Sequence, residues 1–563
     1  MVLRLIFAGL FCTLSVAGCG GGGGGSTNSP TSANSFIETE AEASRFLARA
    51  TYGGSMNEVQ SLAGSDAANW LADEFNKPAT LYLNRVLQTR EPDGDFPSRV
   101  QSNMFWRAMI DGNDQLRQRM VFALSQILVV SENGLGNRAD RFAAYMDVLS
   151  RNAFGNYRDL LEEVTYSPIM AEYLTYLRNR KGDPNSGRTP DENYARELLQ
   201  LMTLGLVDLN QDGTPRLGPG GLPIETYGGD DIVGLARVFT GLSFDGGQNF
   251  YQGAGVDDRY RPLIVFPDRH SELEKSFLGT TIPAGTSGEQ SIDMALDAIF
   301  QHPNVAPFIA RQLIQRFSAS SPDPAYVSRV AAAFEAGEFI AGNRRRFGTG
   351  ERGDLEATLA AILLDSAFFA DPATQNNTLA KVREPVLRFA HWARAFNIDA
   401  STVPNESRLD NTSNPASRLG QHAFRSPSVF NFYRPGFVAP GTETSALGLT
   451  APEFQLVNTT STVGYINFMT DYVFDRTPSR DNVESFVPDY SAEIALANDP
   501  QALVDHLDLL LSGNRMSDIT KSEIVFTLEN TPIREGSEEA DRLRRVRVAV
   551  LMAINSPAYA VIN

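Results

Sequence analysis

The sequence predicts a mainly α-helical protein, with one large multi-helical domain and small β-hairpin or irregular excursions near residues 208–230 and 244–285. Two observations predict this class. Apolar residues recur at three- and four-residue spacing in segments along most of the chain, as on the buried faces of amphipathic helices. The two excursions interrupt this pattern, the first with many Gly and Pro residues and the second with a β-favouring run at 260–266. At 563 residues and 42% hydrophobic content, the chain can bury a substantial core.

The first 18 residues have the layout of an export signal. Arg4 precedes an apolar run from Leu5 to Val16, which is too short to span a bilayer. The following residues end in LSVAGC, which resembles the lipobox of bacterial lipoproteins. That resemblance implies removal of residues 1–18 and acylation of Cys19. An ordinary secretory signal is the alternative.

Residues 19–36 are predicted to form a flexible tether. After Cys19 the chain reads GGGGGGSTNSPTSANS, which would hold the domain at an r.m.s. distance of roughly 20–25 Å from its anchor. The only other cysteine is Cys12, so the mature chain is expected to have no disulfide. Gly20, rather than Asp, follows the cysteine, which favours the outer membrane if the source is Gram-negative. The predicted location is the cell envelope.

The net charge of −18 restricts the possible partners. A strongly acidic protein is a poor candidate for binding nucleic acid or polyanionic glycans, which require a basic surface. We therefore expect no nucleic-acid partner, and we expect contact with the membrane through the lipid anchor.

Residues 37–563 are predicted to form a single large helical domain, with two subdomains meeting near 206–290 as the alternative. Helical spacing of apolar residues predicts the elements in chain order. The predicted helices are residues 41–50, 56–75, 115–130, 141–149, 189–206, 291–300, 305–317, 324–336, 354–366, 382–396, 500–511 and 538–555.

The helix at 189–206 has terminal signals and an unusual polar face. Thr189 and Glu192 fit a capping box, and Gly205 fits the position just past the helix end. The polar side chains recur at helical spacing opposite the apolar side, which indicates either a solvated face or a functional strip. These side chains are Asn193, Arg196, Glu197 and Gln200.

Motifs along the chain resemble one large family of exported bacterial proteins, domain-of-unknown-function family 1800. The segments include PDENYARELLQLMTLGL, DDIVGLARVFTGLSF, RHSELEKSFLG, KVREPVLRFAHWARAF and SPSVFNFYRPGFVAPG. The resemblance implies no stated activity. It implies a possible exported partner similar to the sulfatase and alkaline phosphatase superfamily, and a set of polar signature residues. This set is Asn193, Arg196, Glu197, Asp231, Arg237, His270, Lys275, Arg311, Glu384, Ser428 and Asn431.

Two interpretations of the Arg196 and Glu197 signature positions remain open. The side chains could face inward as a structural ion pair, or they could line a cavity. In a catalytic interpretation, Glu197, His270 and Arg196 would be the catalytic candidates.

The segment PDRHSE offers a conditional metal site. If it is extended, Asp268, His270 and Glu272 point to one face and could bind a divalent metal or act in acid–base chemistry. A turn with a structural histidine is the alternative. Asp208 to Gly213 similarly copies the first half of a calcium loop but lacks the final Glu, so a hairpin turn is favoured.

The predicted function is that of an exported, lipid-anchored helical protein of unknown activity, which binds a polymer or an exported partner as a scaffold. If the ligand is a glycan, the aromatic loop 426–436 together with Tyr251, Tyr260 and Phe266 is the expected contact surface. The alternative is a metal-dependent extracellular hydrolase of an ester or glycan. Whether the protein is an enzyme stays open.

Overall fold

The computed structural model describes most of the chain beyond the predicted tether. Helices account for 49% of the described residues, and the strands there pair in two-stranded sheets, which confirms the predicted mainly α fold. The predicted signal, Cys19 and nearly all of the tether lie outside the described residues. The described residues are 35–98, 100–255, 257–369, 380–405, 408–476 and 486–562.

The helices of the first part of the chain begin at well-capped residues. Thr39 and Ser55 each form a capping box with the glutamate three residues later. The helix predicted over 56–75 is instead two helices, because Gly64 has a φ of +76° and the next two residues pair with the N-terminal strand. The helices are α1 Glu40–Ala50, α2 Met56–Leu62, α3 Ala67–Phe75, α4 Leu83–Leu87, α5 Val100–Asp111, α6 Gln115–Ser125, α7 Ala139–Arg151, α8 Tyr157–Thr165, α9 Pro168–Tyr173, α10 Asn193–Glu197 and α11 Gly229–Ala236.

The second part of the chain is also helical. Asp323 and Asp499 cap helices that have proline at the first position, as sequence rules predict. The helices are α12 Gly288–Phe300, α13 Val305–Phe317, α14 Pro324–Ala336, α15 Leu355–Leu363, α16 Ser366–Phe369, α17 Pro385–Ala395, α18 Glu443–Ala446, α19 Thr459–Val473, α20 Ser491–Leu496, α21 Pro500–Ser512, α22 Asp518–Glu529, α23 Glu538–Ile554 and α24 Pro557–Ala560. A π helix spans Leu198–Thr203, and 3-10 helices span Ala400–Asn405 and Pro452–Leu456.

The strands are short and pair antiparallel in the order β1–β2, β3–β4, β5–β6, β7–β8 and β9–β10. Both predicted excursions contain hairpins, since residues 207–225 form a ladder of isolated bridges and residues 275–282 form β5–β6. The strands are β1 Phe36–Ile37, β2 Ser65–Asp66, β3 Leu242–Ser243, β4 Ile264–Val265, β5 Lys275–Phe277, β6 Thr280–Ile282, β7 Phe339–Ile340, β8 Arg346–Phe347, β9 Lys381–Val382 and β10 Val561–Ile562.

Buried apolar side chains from Ile37 to Tyr559 form one contiguous cluster, with Trp106 and Trp392 among its largest members. Within it, α14 packs against α13 and α15, while α21 packs against α1 and α23. The beginning and the end of the domain therefore pack together. A division into two subdomains stays a prediction. None of the helices in the described ranges has the length and apolar content of a membrane-spanning helix.

Candidate functional site

The signature helix begins later than the sequence predicts. α10 starts at Asn193, and Thr189 does not cap it. The side chain of Asn179 holds the intervening backbone: its Oδ1 accepts from the Asp191 N–H at 2.9 Å, and its Nδ2 donates to the Asp191 carbonyl at 3.3 Å. The predicted capping box is therefore wrong, because these bonds from a distant loop keep the preceding residues out of the helix.

A π helix, Leu198–Thr203, directly follows α10. The Thr203 hydroxyl donates to the Leu198 carbonyl at 2.6 Å, and the turn ends at Gly205, whose φ is +77°. The predicted glycine end is confirmed, and a Cβ at Gly205 would lie 3.0 Å from the Phe308 ring. π turns adjoining α helices are frequent at functional sites. Glu197, the residue just before this π helix, is therefore a candidate functional residue.

Arg196 and Glu197 do not form the inward-facing ion pair that one interpretation of the sequence expected. Arg196 is exposed and pairs with Glu192 at 3.2 Å, whereas Glu197 is only 8% exposed. Consecutive residues on a helix point about 100° apart, so the two side chains face different surroundings. The signature strip therefore divides between solvent and the interior.

Glu197 is a buried carboxyl group without a hydrogen bond at one oxygen. Its Oε2 has no partner among the residues that the structure describes. Burial raises the pKa of Glu197, and the charge of Arg196 only partly opposes this. Burial, followed by the nearby Glu197 charge, also raises the pKa values of Tyr173 and Tyr227. The Glu197 carboxyl group can therefore keep its proton at pH values above those at which glutamate usually ionises.

The conditional alignment of Asp268, His270 and Glu272 is not formed. Residues 267–269 form a turn, and only His270 is buried. Asp268 pairs with Arg269 at 3.1 Å and Glu272 lies 3.6 Å from Lys181, both at the surface. The alternation required an extended strand, and the turn removes it.

His270 has a structural contact instead. Its Nδ1 donates to the Thr240 carbonyl at 2.9 Å, and burial lowers the pKa of its imidazole. Within the described residues there is no group of three or more His, Cys, Asp or Glu side chains that could hold a metal ion. At the calcium-like segment, the Gly213 N–H donates to the Asn210 carbonyl at 2.9 Å, which is the hairpin turn that the sequence favoured.

Asp231 and Arg237 join α11 to the β5–β6 hairpin, and Lys275 lies on β5. The Asp231 carboxylate accepts from the Leu278 N–H at 2.7 Å, and Arg237 donates to the Glu274 carbonyl at 2.9 Å. Lys275 is fully buried, and burial lowers its pKa. Asp231 and Arg237 therefore hold this excursion against the helical frame.

Glu384 is the centre of an interior polar network. It is fully buried before α17 and accepts from Gln126 at 2.6 Å, from the Tyr433 hydroxyl at 2.7 Å and from Gln421. Because Tyr433 belongs to the aromatic loop 426–436, this network fastens that loop to the core.

The remaining signature residues lie elsewhere. Asn431 adopts a φ of +60°, and its buried Nδ2 has no partner in the described part of the chain. Ser428 is exposed, and its carbonyl accepts from the Asn431 N–H at 3.1 Å. Arg311 is partly buried on α13, and burial lowers its pKa. The signature set is thus distributed over several regions.

A groove of about 700 Å³ opens between α7, α8 and residues 260–262. The Leu263 N–H donates to the Tyr166 carbonyl at 2.8 Å, which fastens this segment to the end of α8. Tyr260, expected from the sequence as an aromatic contact, lines the groove. Tyr166, which the sequence analysis does not predict, lines it as well. The sequence offers little indication of Tyr166, because Tyr166 follows α8 and lies far along the chain from the excursion that contains Tyr260.

The charged groups that line the groove are four carboxylates, of Asp147, Asp159, Glu162 and Glu163, and two guanidiniums, of Arg151 and Arg261. Glu163 pairs with Arg151 and accepts from Asn152, both at 2.8 Å, so it is neutralised. Asp159 is exposed and has no partner among the described residues. Burial and the carboxylates nearby raise the pKa of Tyr166 to about 12, so its hydroxyl stays a donor at neutral pH. Aromatic rings beside carboxylates and a guanidinium can contact and hydrogen-bond a polyhydroxylated ligand.

Comparison with known proteins gives one match. A family model described as Protein of unknown function (DUF1800) matches residues 45–561, from α1 to β10. No curated protein and no solved structure matches the chain. The matched range contains α10 with its π helix, the Glu384 network and the groove. Because the family model covers nearly the whole chain, the protein belongs to the DUF1800 family.

Proposed function

We propose that this protein is an exported, lipid-anchored binding protein of the cell envelope, and that its ligand is a neutral or amine-bearing glycan bound in the groove of Tyr166 and Tyr260. Anchoring is supported by the lipobox-like residues before Cys19 and by the Gly/Ser-rich segment that follows. An exported partner similar to the sulfatase and alkaline phosphatase superfamily, which could process the bound glycan, is part of this proposal.

The groove is the observation that carries the glycan proposal. Two tyrosines from separate elements line a volume of about 700 Å³ there, within the usual range for ligand sites. Their rings can contact sugar C–H groups, while Asp159 and the hydroxyls bond to sugar hydroxyls. The acidic lining disfavours sulfated or phosphorylated chains.

The test is glycan binding by the full chain in detergent. Purified envelope polysaccharides and their oligosaccharides would be titrated by calorimetry against the wild type and Tyr260→Ala. Since truncating an aromatic contact at a binding site typically costs more than 1 kcal/mol, we expect the affinity to fall about tenfold or more.

Tyr251→Ala is the matched control. The sequence grouped Tyr251 with Tyr260 as an expected glycan contact, but Tyr251 is exposed in the same excursion and does not line the groove. Equal affinities of the wild type and Tyr260→Ala would contradict the assignment of the ligand to this groove.

A further inference from the structure

A second, smaller cavity of about 230 Å³ lies between α17, α19 and the β9–β10 pair. Most of its wall is apolar and includes Val382, Leu419, Phe454 and Ile466. This volume equals that of roughly eight water molecules in the liquid, so the cavity can hold a small organic molecule.

Two of the residues that line this cavity each carry a buried hydrogen-bond donor without an acceptor among the described residues. Tyr465 is 4% exposed, and its hydroxyl has no partner in the described part of the chain. The guanidinium of Arg388 stacks 3.9 Å above the Tyr465 ring, and its buried Nε is also without a partner. Buried polar groups in folded proteins are normally hydrogen-bonded, so this pair of donors indicates a site for an acceptor.

The charge of the cavity indicates the kind of acceptor. Arg383 also lines it, is buried, and bonds to uncharged groups, donating to the Tyr559 carbonyl at 2.8 Å and contacting His391 Nδ1 at 2.6 Å. Burial lowers the pKa of Arg383 to about 10, so it stays charged at neutral pH. No Asp or Glu occurs among the lining residues that the structure describes, although the whole chain carries a charge of −18. The cavity is therefore locally cationic.

We propose that this cavity binds a small monocarboxylate, with its carboxylate on Arg388 and the Tyr465 hydroxyl and its short apolar tail against the walls. A guanidinium and a phenol both donate to a carboxylate, and hydrogen bonds to a charged acceptor are the stronger kind. A free aliphatic acid of about six carbons matches the cavity volume. The C-terminal residue of an apolar peptide shares this chemistry. The proposal is independent of the glycan groove.

The test is a calorimetric titration of the full chain in detergent with sodium hexanoate, N-acetyl-leucine and hexan-1-ol. We expect saturable binding of at least one carboxylate and no binding of the alcohol, which lacks the charge. Hexanoate and N-acetyl-leucine distinguish the free acid from the peptide terminus. No carboxylate binding by the wild type would overturn the proposal.

Two variants locate the site. Arg388→Met keeps the apolar stem and removes the guanidinium, and Tyr465→Phe removes only the hydroxyl; each is expected to weaken binding about tenfold or more. Arg434→Met is the control, because Arg434 also stacks on an aromatic ring, that of Phe430 at 5.0 Å, outside the cavity. Thermal unfolding verifies that each variant is folded. Wild-type affinity in both folded cavity variants would overturn the assignment.

Discussion

At the scale of single residues, the structure changes the expected consequence of replacing Glu197. A buried Arg196–Glu197 pair would make removal of the glutamate costly by several kcal/mol, because it would leave a buried cation unpaired. Arg196 is exposed and pairs with Glu192 instead. Glu197 is therefore a buried group that lowers stability when it is ionised.

We predict that Glu197→Gln stabilises the protein at high pH. Burial raises the folded-state pKa of Glu197 above its ordinary value of 4.5, so the folded state retains the proton to a higher pH than the unfolded state does. Below pH 4.5 the carboxyl group is protonated in both states and does not lower the stability of the wild type. As the pH rises through the folded-state pKa, the buried group ionises and the free energy of unfolding falls. The variant lacks this loss, and its free energy of unfolding should exceed the wild-type value by about 1–2 kcal/mol at pH 8.

Urea unfolding of both proteins at pH 5 and pH 8 measures this difference, which should grow with pH. Glu192→Gln is the control: it breaks the exposed pair with Arg196, and its effect should stay below about 1 kcal/mol. A less stable Glu197→Gln variant at pH 8 would show that the carboxylate has an attractive partner.

At the scale of elements, α11 and the β5–β6 hairpin depend on a close approach between a helix and a strand. A Cβ at Gly234 would lie 1.8 Å from the Ser276 carbonyl oxygen. We predict that Gly234→Ala lowers the free energy of unfolding by about 3 kcal/mol, since backbone must move to relieve the clash. Gly229→Ala is the matched control on the same helix, where nothing lies within 4 Å, and its effect should be below about 1 kcal/mol. Equal stabilities of the two variants would contradict this packing.

The elements also show what sequence patterns could and could not predict. Helices with regular apolar spacing, such as α13 and α21, occur where predicted. α19, TTSTVGYINFMTDYV, is not predicted from the sequence, because its β-branched and aromatic residues have low helix propensity. Packing against α23 stabilises this helix in the folded protein. The late start of α10 depends on Asn179, which lies outside the local pattern. Tyr260 was identified by composition, whereas Tyr166, Arg388 and Tyr465 acquire significance only through neighbours on other elements.

At the scale of the whole molecule, the proposed lipid anchor would determine where the two proposed sites act. Each methylene of an acyl chain buried in a membrane contributes about 0.8 kcal/mol, so lipidation at Cys19 would dominate membrane association. The chain's charge of −18 opposes binding to anionic lipids by electrostatics alone. We therefore predict that Cys19→Ala releases the protein from membranes, whereas Cys12→Ala, at the only other cysteine, does not.

Detergent phase partitioning and metabolic labelling with a palmitate analogue measure this prediction in the native host. The wild type should be labelled and enter the detergent phase, and Cys19→Ala should lose both properties. An unlabelled wild-type protein in the aqueous phase would instead indicate cleavage of an ordinary secretory signal. The glycan groove and the carboxylate cavity would then act in a freely diffusing protein, and the roughly 20–25 Å reach of the tether would no longer restrict their ligands to the membrane surface.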